Sequence, residues 1–174
     1  MSTQPTLHFF CGKMASGKST LARTLAKEHN AVLISEDVWL STLYSEEIND
    51  FSDYLKYSSR LKAILTAHIQ HLLLQGVSIV LDFPGNTPSQ RSWFRSLFES
   101  AKTDHLLHYV IASDELCKKQ LKMRSQDKPE GSAFTTEAEF DFITKYFQPP
   151  TSEERFKIKT YQKETLHPLW SDLI

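Results

Sequence analysis

The sequence has few of the features that mark secreted, membrane-bound or nucleic-acid-binding proteins. It has only two cysteines, Cys11 and Cys117, and they lack metal-ligand spacing, which predicts reduced thiols in a reducing compartment. The 20 basic and 21 acidic residues are well mixed, so no basic stripe indicates nucleic acid or anionic lipid as a partner. The polar start "MSTQPT" and the short apolar runs predict neither a secretory signal nor a membrane-spanning helix. We therefore expect a cytoplasmic protein with one domain over residues 1–174.

Strand-like and helix-like segments alternate along the chain. Apolar runs predict five strands, at 6–11, 31–35, 77–83, 105–112 and 156–161. Helical spacing and cap residues predict helices at 18–29, about 53–75, 87–101, 113–126 and from 137 onward. Strands that alternate with helices form a parallel sheet covered on both faces, so we predict an open α/β fold. The tail at 162–174 shows no clear pattern.

The stretch "CGKMASGKST" (11–20) points to a bound phosphate. It contains G-x-x-x-x-G-K-[ST] without a mismatch, between the first predicted strand and the first predicted helix. The backbone N–H groups of such a loop form an anion nest at the positive end of the helix. We expect Lys18 to reach the β- and γ-phosphates and the Ser19 hydroxyl to bind Mg²⁺. The predicted ATP-binding residues are Gly12, Lys13, Met14, Ala15, Ser16, Gly17, Lys18, Ser19 and Thr20, together with Arg124.

Acidic residues follow the second and third predicted strands. In open α/β sheets, ligands bind beyond the carboxyl ends of the strands. Asp37 is the candidate general base for an acceptor hydroxyl, and an N-terminal helix cap is its alternative role. Asp82 is a candidate to hold Mg²⁺ or the acceptor, and a turn-forming residue before "FPGN" is the alternative.

A kinase also needs a cover that excludes water and carries a cation to the transferred phosphoryl group. The segment at about 124–136 contains Pro129 and Gly131 between two predicted helices, as expected of such a lid. The sequence has only six arginines. This scarcity makes Arg124 the best candidate for the lid cation and leaves Arg91 as a candidate acceptor contact.

The stretches "GKMASGKST", "SEDVW" and "VLDF", together with Arg124, resemble the small P-loop kinases related to polynucleotide kinase, zeta toxin and chloramphenicol phosphotransferase. The resemblance extends over about residues 7–161 and implies the P-loop NTPase fold. It also implies that Asp37 is the general base, that Asp82 helps to hold the acceptor, and that Arg124 contacts the phosphates.

The same resemblance implies that "FQPPTSEERFKI" (147–158) lies near the adenine. The sequence departs from several of these relatives after Asp37, where they carry an arginine that grips the acceptor. Trp39 and its apolar neighbours stand there instead. This favours an apolar or aromatic acceptor surface, with burial of Trp39 in the core as the alternative.

We predict a phosphotransferase that uses ATP and Mg²⁺ and acts on a hydroxyl of a small molecule. The predicted catalytic residues are Lys18, Asp37 and Arg124, the metal ligands are Ser19 and Asp82, and the acceptor contacts are Asp37, Asp82, Trp39 and Arg91. The alternatives are a nucleotide or polynucleotide 5′-hydroxyl kinase, a non-catalytic or ATP-hydrolysing module, and a GTPase. "DFPG" (82–85) matches the D-x-x-G pattern of GTPases, but the nearest match to the guanine-reading [NT]-K-x-D, "AKTD", lacks its first residue and precedes a strand.

Overall fold

The sheet is the frame of the protein. The computed structural model describes residues 4–128 and 132–164. The strands are β1 (Thr6–Cys11), β2 (Val32–Ser35), β3 (Ile79–Pro84), β4 (Asp104–Ala112) and β5 (Ile158–Lys163). Their order is β2-β3-β1-β4-β5, and all neighbouring pairs are parallel. The predicted parallel α/β sheet is confirmed, and no predicted strand end differs from the structure by more than two residues.

Six helices connect and cover the strands in the described part of the chain. They are α1 (Lys18–Glu28), α2 (Glu36–Leu43), α3 (Phe51–Leu74), α4 (Pro88–Ala101), α5 (Asp114–Ser125) and α6 (Glu137–Thr144), and a short 3₁₀ turn spans Ser152–Glu154. The eight-residue α2 was not predicted as a separate helix, although the alternative role of Asp37 as an N-terminal cap implies a helix that begins there. The predicted lid includes residues 129–131 and the predicted tail includes 165–174, which lie outside the described residues.

The central strand β1 divides the core in two, because its alternate side chains point to opposite faces of the sheet. Leu7, Phe9 and Cys11 pack in the cluster formed with α3 and α4. Phe10 packs in the cluster formed with α1. Each of these β1 side chains is fully buried, which explains the nearly unbroken apolar run in the sequence.

The parallel register brings the carboxyl ends of three strands to one edge. β1 ends at Cys11, directly before the glycine-rich loop. On the next strands, Ser35 at the end of β2 pairs with Asp82 near the end of β3. The phosphate loop and both acidic strand ends therefore lie at the same edge of the sheet.

The length and hydropathy needed to cross a membrane are found in no helix of the described residues.

Candidate active site

The loop after β1 has a backbone that only glycine permits at two points. A Cβ on Gly12 would lie 2.7 Å from the carbonyl oxygen of Val110 in β4. Gly17 has φ 102°, in the region that side chains other than glycine rarely adopt, and α1 begins at the next residue. The first N–H groups of α1 have no partner within the helix, so they are available to an anion at the loop. The sequence pattern and the backbone geometry therefore agree on a nest for phosphate.

Lys18 carries the positive charge that lies inside this loop. Its ammonium group donates hydrogen bonds to the carbonyl oxygens of Gly12 (2.6 Å) and Lys13 (2.7 Å). Burial lowers the pKa of Lys18, and the nearby charge of Asp82 opposes that shift. The side chain of Lys13 instead forms an ion pair with Asp114 at the start of α5. Of the two loop lysines, Lys18 is thus the one held at the phosphate position.

Asp82 is surrounded by the groups that the sequence assigned to metal and phosphate binding. The Ser35 hydroxyl donates to Oδ2 of Asp82 at 3.1 Å. Burial raises the pKa of Asp82, a hydrogen bond from Ser19 and the charge of Lys18 lower it, and the charge of Asp37 raises it. The carboxylate therefore lies beside a hydroxyl and a cation at the mouth of the loop.

The Asp82 carboxylate and the Ser19 hydroxyl fit a Mg²⁺ ion, because hard oxygen donors are the ligands that this ion prefers. Within residues 4–128 and 132–164, no group of three or more His, Cys, Asp or Glu side chains could hold a metal ion. The pair would therefore bind Mg²⁺ together with phosphate oxygens and water, as in other sites where the ion accompanies a nucleotide.

Asp37 and Arg124 complete the charged group at this edge. Asp37 lies exposed in the first turn of α2, and its charge interacts with those of Asp82 and Arg124. Arg124, in the last turn of α5, also interacts with the charge of Lys18. We call these four residues, Lys18, Asp37, Asp82 and Arg124, the phosphate edge. The structure brings all four together from four different elements.

The structure places Trp39 on the opposite flank of α2 from Asp37, so it does not support the prediction that Trp39 contacts the same acceptor. Asp37 and Trp39 are two positions apart on α2, so their side chains leave the helix about 200° apart. Glu36 and Leu40 form the buried side of the helix between these two directions. Trp39 is 39% exposed, so it is not buried in the core, which was its alternative role.

Arg91 is also not placed for an acceptor, because it is fully buried and its donors are already used. Its guanidinium forms two hydrogen bonds with Glu154, at 2.7 and 2.8 Å. Further hydrogen bonds reach the carbonyl oxygens of Gly85 (2.9 Å), Gln148 (2.9 Å) and Pro149 (3.4 Å). We call this group the Arg91 hub. Its hydrogen bonds hold the segment before β5 against α4, so Arg91 has a structural role.

The hub also shows where the segment 147–158 runs. Its start is close to the loop, since the Gln148 N–H donates to the Asn86 carbonyl at 2.8 Å. It then passes along α4, where Phe156 lies under the guanidinium of Arg95, to the amino end of β5. Ligands of such sheets bind at the opposite end of the strands. Most of this segment therefore lies away from the edge where ligands bind, which does not support the expectation that it lies near the adenine.

Two residues of the site were missed by sequence reasoning. The Asn86 side-chain oxygen accepts a hydrogen bond from the Gly12 N–H at 2.9 Å and so ties the loop to the end of β3. No local pattern marks Asn86, because the contact joins positions 74 apart in the chain. Ser35, which holds Asp82, could have been found, since parallel pairing of β2 with β3 places it opposite that residue.

In this fold a G-x-x-x-x-G-K-[ST] loop follows the central strand β1, and acidic residues lie at the ends of β3 and β2 on one side of it. These features define a nucleotide-binding protein of the P-loop kinase class. The family model described as AAA domain matches residues 7–150. The chain belongs to this family. A search of curated proteins by sequence gave no match.

Solved structures share the fold. A provisionally named kinase from Chloroflexus aurantiacus is 17% identical, with a TM-score of 0.72 over 92% of this chain and 89% of that one. Kti12 from Chaetomium thermophilum in complex with ADP-AlF3 is 16% identical, with a TM-score of 0.62 over 91% and 88%. A gluconokinase from Sinorhizobium meliloti is 14% identical, with a TM-score of 0.57 over 92% and 84%. At identities of 14% to 17%, the similarity to these structures shows a shared fold only.

Proposed function

We propose that the protein transfers the γ-phosphoryl group of ATP to a hydroxyl of a small-molecule acceptor. The observation that carries this proposal is the phosphate edge, where an exposed carboxylate lies within electrostatic range of the cations that suit a phosphate. Phosphoryl transfer needs mainly positioning and charge stabilisation, which such an edge supplies. The fold shared with a gluconokinase supports a small acceptor.

The residues have distinct roles in this reaction. Lys18 and the loop amides bind the β- and γ-phosphates, and Arg124 neutralises charge on the transferred group. Asp37 takes the proton of the acceptor hydroxyl while the acceptor oxygen forms a bond to the γ-phosphorus. The bond from that phosphorus to the bridging oxygen breaks, and ADP leaves. Ser19 and Asp82 would hold a Mg²⁺ ion, which would add further neutralisation of the phosphate charge when bound.

A screen for acceptors tests the proposal. Fractions of a metabolite extract and of cellular nucleic acid are added to the protein with ATP or GTP, and ADP or GDP production is measured. We expect a small-molecule fraction to accelerate ADP production by the wild type, and to have no such effect on the Asp37→Asn variant. Acceleration by nucleic acid alone would identify a polynucleotide kinase. Hydrolysis that no fraction accelerates, or turnover of GTP only, would contradict the proposal.

A further inference from the structure

The residue before Asp37 is a buried carboxylate that the proposed transfer does not use. Glu36 is 1% exposed, and both of its oxygens accept hydrogen bonds from α3. The Tyr54 hydroxyl donates to Oε2 at 2.7 Å and the Ser58 hydroxyl to Oε1 at 2.5 Å. The Lys62 ammonium lies 4.0 Å from Oε1. Burial raises the pKa of Glu36, while Lys62 and the two hydroxyl donors lower it.

An apolar side chain could hold α2 against α3 as well as this carboxylate does, because burial of a charge costs much of what its partners return. The carboxylate differs in being directional, since two hydrogen bonds fix its orientation. Directional contacts matter here because α2 has only eight residues and buries only Glu36 and Leu40. Asp37 lies about 100° around the helix axis from Glu36, so any rotation of α2 moves the candidate base.

Tyr54 carries a second contact, on the side of the segment predicted as the lid. Its ring meets the ring of Phe134 edge to face, with centroids 5.3 Å apart. Phe134 has φ +60°, a left-handed conformation that is unusual for an aromatic residue. The Phe134 N–H donates to the Glu139 carboxylate at 2.8 Å, which holds the backbone of Phe134 in place from α6. A strained backbone conformation in a residue that contacts Tyr54 is a reason to look for a functional constraint there.

We propose that Tyr54 is a positioning residue for the phosphoryl transfer, an inference that rests on the proposed function. The Tyr54 hydroxyl fixes Glu36 and with it the first turn of α2, so that Asp37 points to Asp82 and Arg124. The Tyr54 ring seats Phe134, which lies near the end of the segment predicted as the lid. One side chain thus sets the direction of the base and the position of Phe134.

Three variants separate these two contacts. Tyr54→Phe removes the hydroxyl and keeps the ring, whereas Tyr54→Leu removes both. Thr66→Val is the matched control, because Thr66 lies on the same helix and accepts a hydrogen bond from Trp93 Nε1 of α4 at 3.0 Å. The probes are Mg-ADP binding by calorimetry, amide hydrogen exchange of α2 and of residues 134–136, and kcat and KM for ATP with the acceptor from the screen.

For Tyr54→Phe we expect kcat to fall about tenfold, the usual worth of one hydrogen bond, with KM for ATP and Mg-ADP affinity unchanged. Exchange in α2 should become about tenfold faster, and exchange at 134–136 should change only in Tyr54→Leu. Thr66→Val should show none of these effects. The inference is overturned if Tyr54→Phe and Thr66→Val have equal effects on kcat and on α2 exchange.

The two proposals fail in different ways. If no acceptor accelerates ADP production by the wild type, the proposed function fails, and the exchange measurement alone decides the role of Tyr54. Faster exchange in α2 in Tyr54→Phe but not in Thr66→Val then supports the positioning of α2, and equal exchange overturns it.

Discussion

The phosphate edge and the Arg91 hub both gather charged residues, but they use the charges differently. In the hub, the guanidinium of Arg91 meets the carboxylate of Glu154 and three carbonyl oxygens, so its donors are taken. At the phosphate edge, Asp37 is exposed and acts on its neighbours through charge. The donors of the hub are satisfied within the chain, whereas the Asp37 carboxylate at the edge is exposed to solvent.

This difference distinguishes a structural cluster from a functional one better than residue type does. By type and scarcity alone, Arg124 is a candidate for the phosphate contact and Arg91 for the acceptor contact. Their surroundings separate them, because a buried and fully hydrogen-bonded guanidinium loses those bonds if it turns to a ligand. The predictions below test whether removal of edge residues affects chemistry and removal of hub residues affects stability.

The largest expected effect is that of Lys18→Ala. Removal of the cation inside the loop should lower ATP turnover by about 10³-fold, the upper range for one electrostatic contact to the transferred group. The measurement is ADP production with saturating acceptor. Lys27→Ala, an exposed change at the other end of α1, is the control and should be neutral. Unchanged turnover in Lys18→Ala would show that the loop holds no reacting phosphate.

The fold and the loop could be predicted because their signals are local. The strand and helix periods of 2 and 3.6 residues, and the G-x-x-x-x-G-K-[ST] spacing, are properties of adjacent residues. The position of Asp37 and Asp82 at the carboxyl edge could be predicted because a parallel sheet aligns all its carboxyl ends.

The wrong predictions concern contacts that join distant parts of the chain. The partner of Arg91 is Glu154, 63 positions away, and nothing near Arg91 in the sequence marks it. The prediction for Trp39 is unsupported for another reason, since it depends on the rotation of α2, which was not predicted as a separate helix. The role of Glu36 was missed on both grounds, because it lies on α2 and its partners Tyr54 and Ser58 are 18 and 22 positions away.

Arg91→Met tests the hub side of the comparison. It removes the two hydrogen bonds to the half-buried Glu154 and leaves the carbonyl oxygens of Gly85, Gln148 and Pro149 without this donor. Loss of these contacts of a fully buried guanidinium should cost about 3 kcal/mol of the free energy of unfolding. Urea unfolding measures this loss. Mg-ADP affinity and kcat of the folded fraction should stay near wild type. The double variant Arg91→Met, Glu154→Met should recover part of the lost stability. A large fall in kcat at unchanged stability would place Arg91 in the site after all.

Asp37→Asn tests the phosphate edge, where we expect activity to change and stability to change little. Loss of the base should lower transfer by about 10²-fold. Mg-ADP affinity should be unchanged, and because Asp37 is exposed, stability should fall by less than about 1 kcal/mol, the usual worth of an acid at a helix N-terminus. The matched control is Trp39→Ala on the opposite flank of α2, which should keep its transfer rate. If Trp39→Ala lowers transfer as much as Asp37→Asn, the two flanks share the acceptor.

A third polar cluster, on the α1 side of the sheet, is satisfied without any charge. His8 Nδ1 and His108 Nε2 are 3.0 Å apart, and His108 Nδ1 lies 2.8 Å from the Tyr161 hydroxyl. Both histidines are buried. Burial lowers the pKa of His8 to about 4 and that of His108 to about 3.

This cluster predicts the smallest effect, a loss of stability in mild acid. In the unfolded chain both histidines have a pKa near 6.5, so below that pH the unfolded state binds more protons than the folded state. Stability is therefore fully present above about pH 6.5 and is lost as the pH falls toward 4. Between pH 7 and 5.5 the pair should reduce the free energy of unfolding by about 2 kcal/mol.

Urea unfolding at several pH values measures this loss of stability. His108→Gln should flatten this dependence by about half, and His68→Gln, an exposed change, should not. An equal slope in His108→Gln and the wild type would mean that the buried histidines do not set the acid response, and that the charged clusters do.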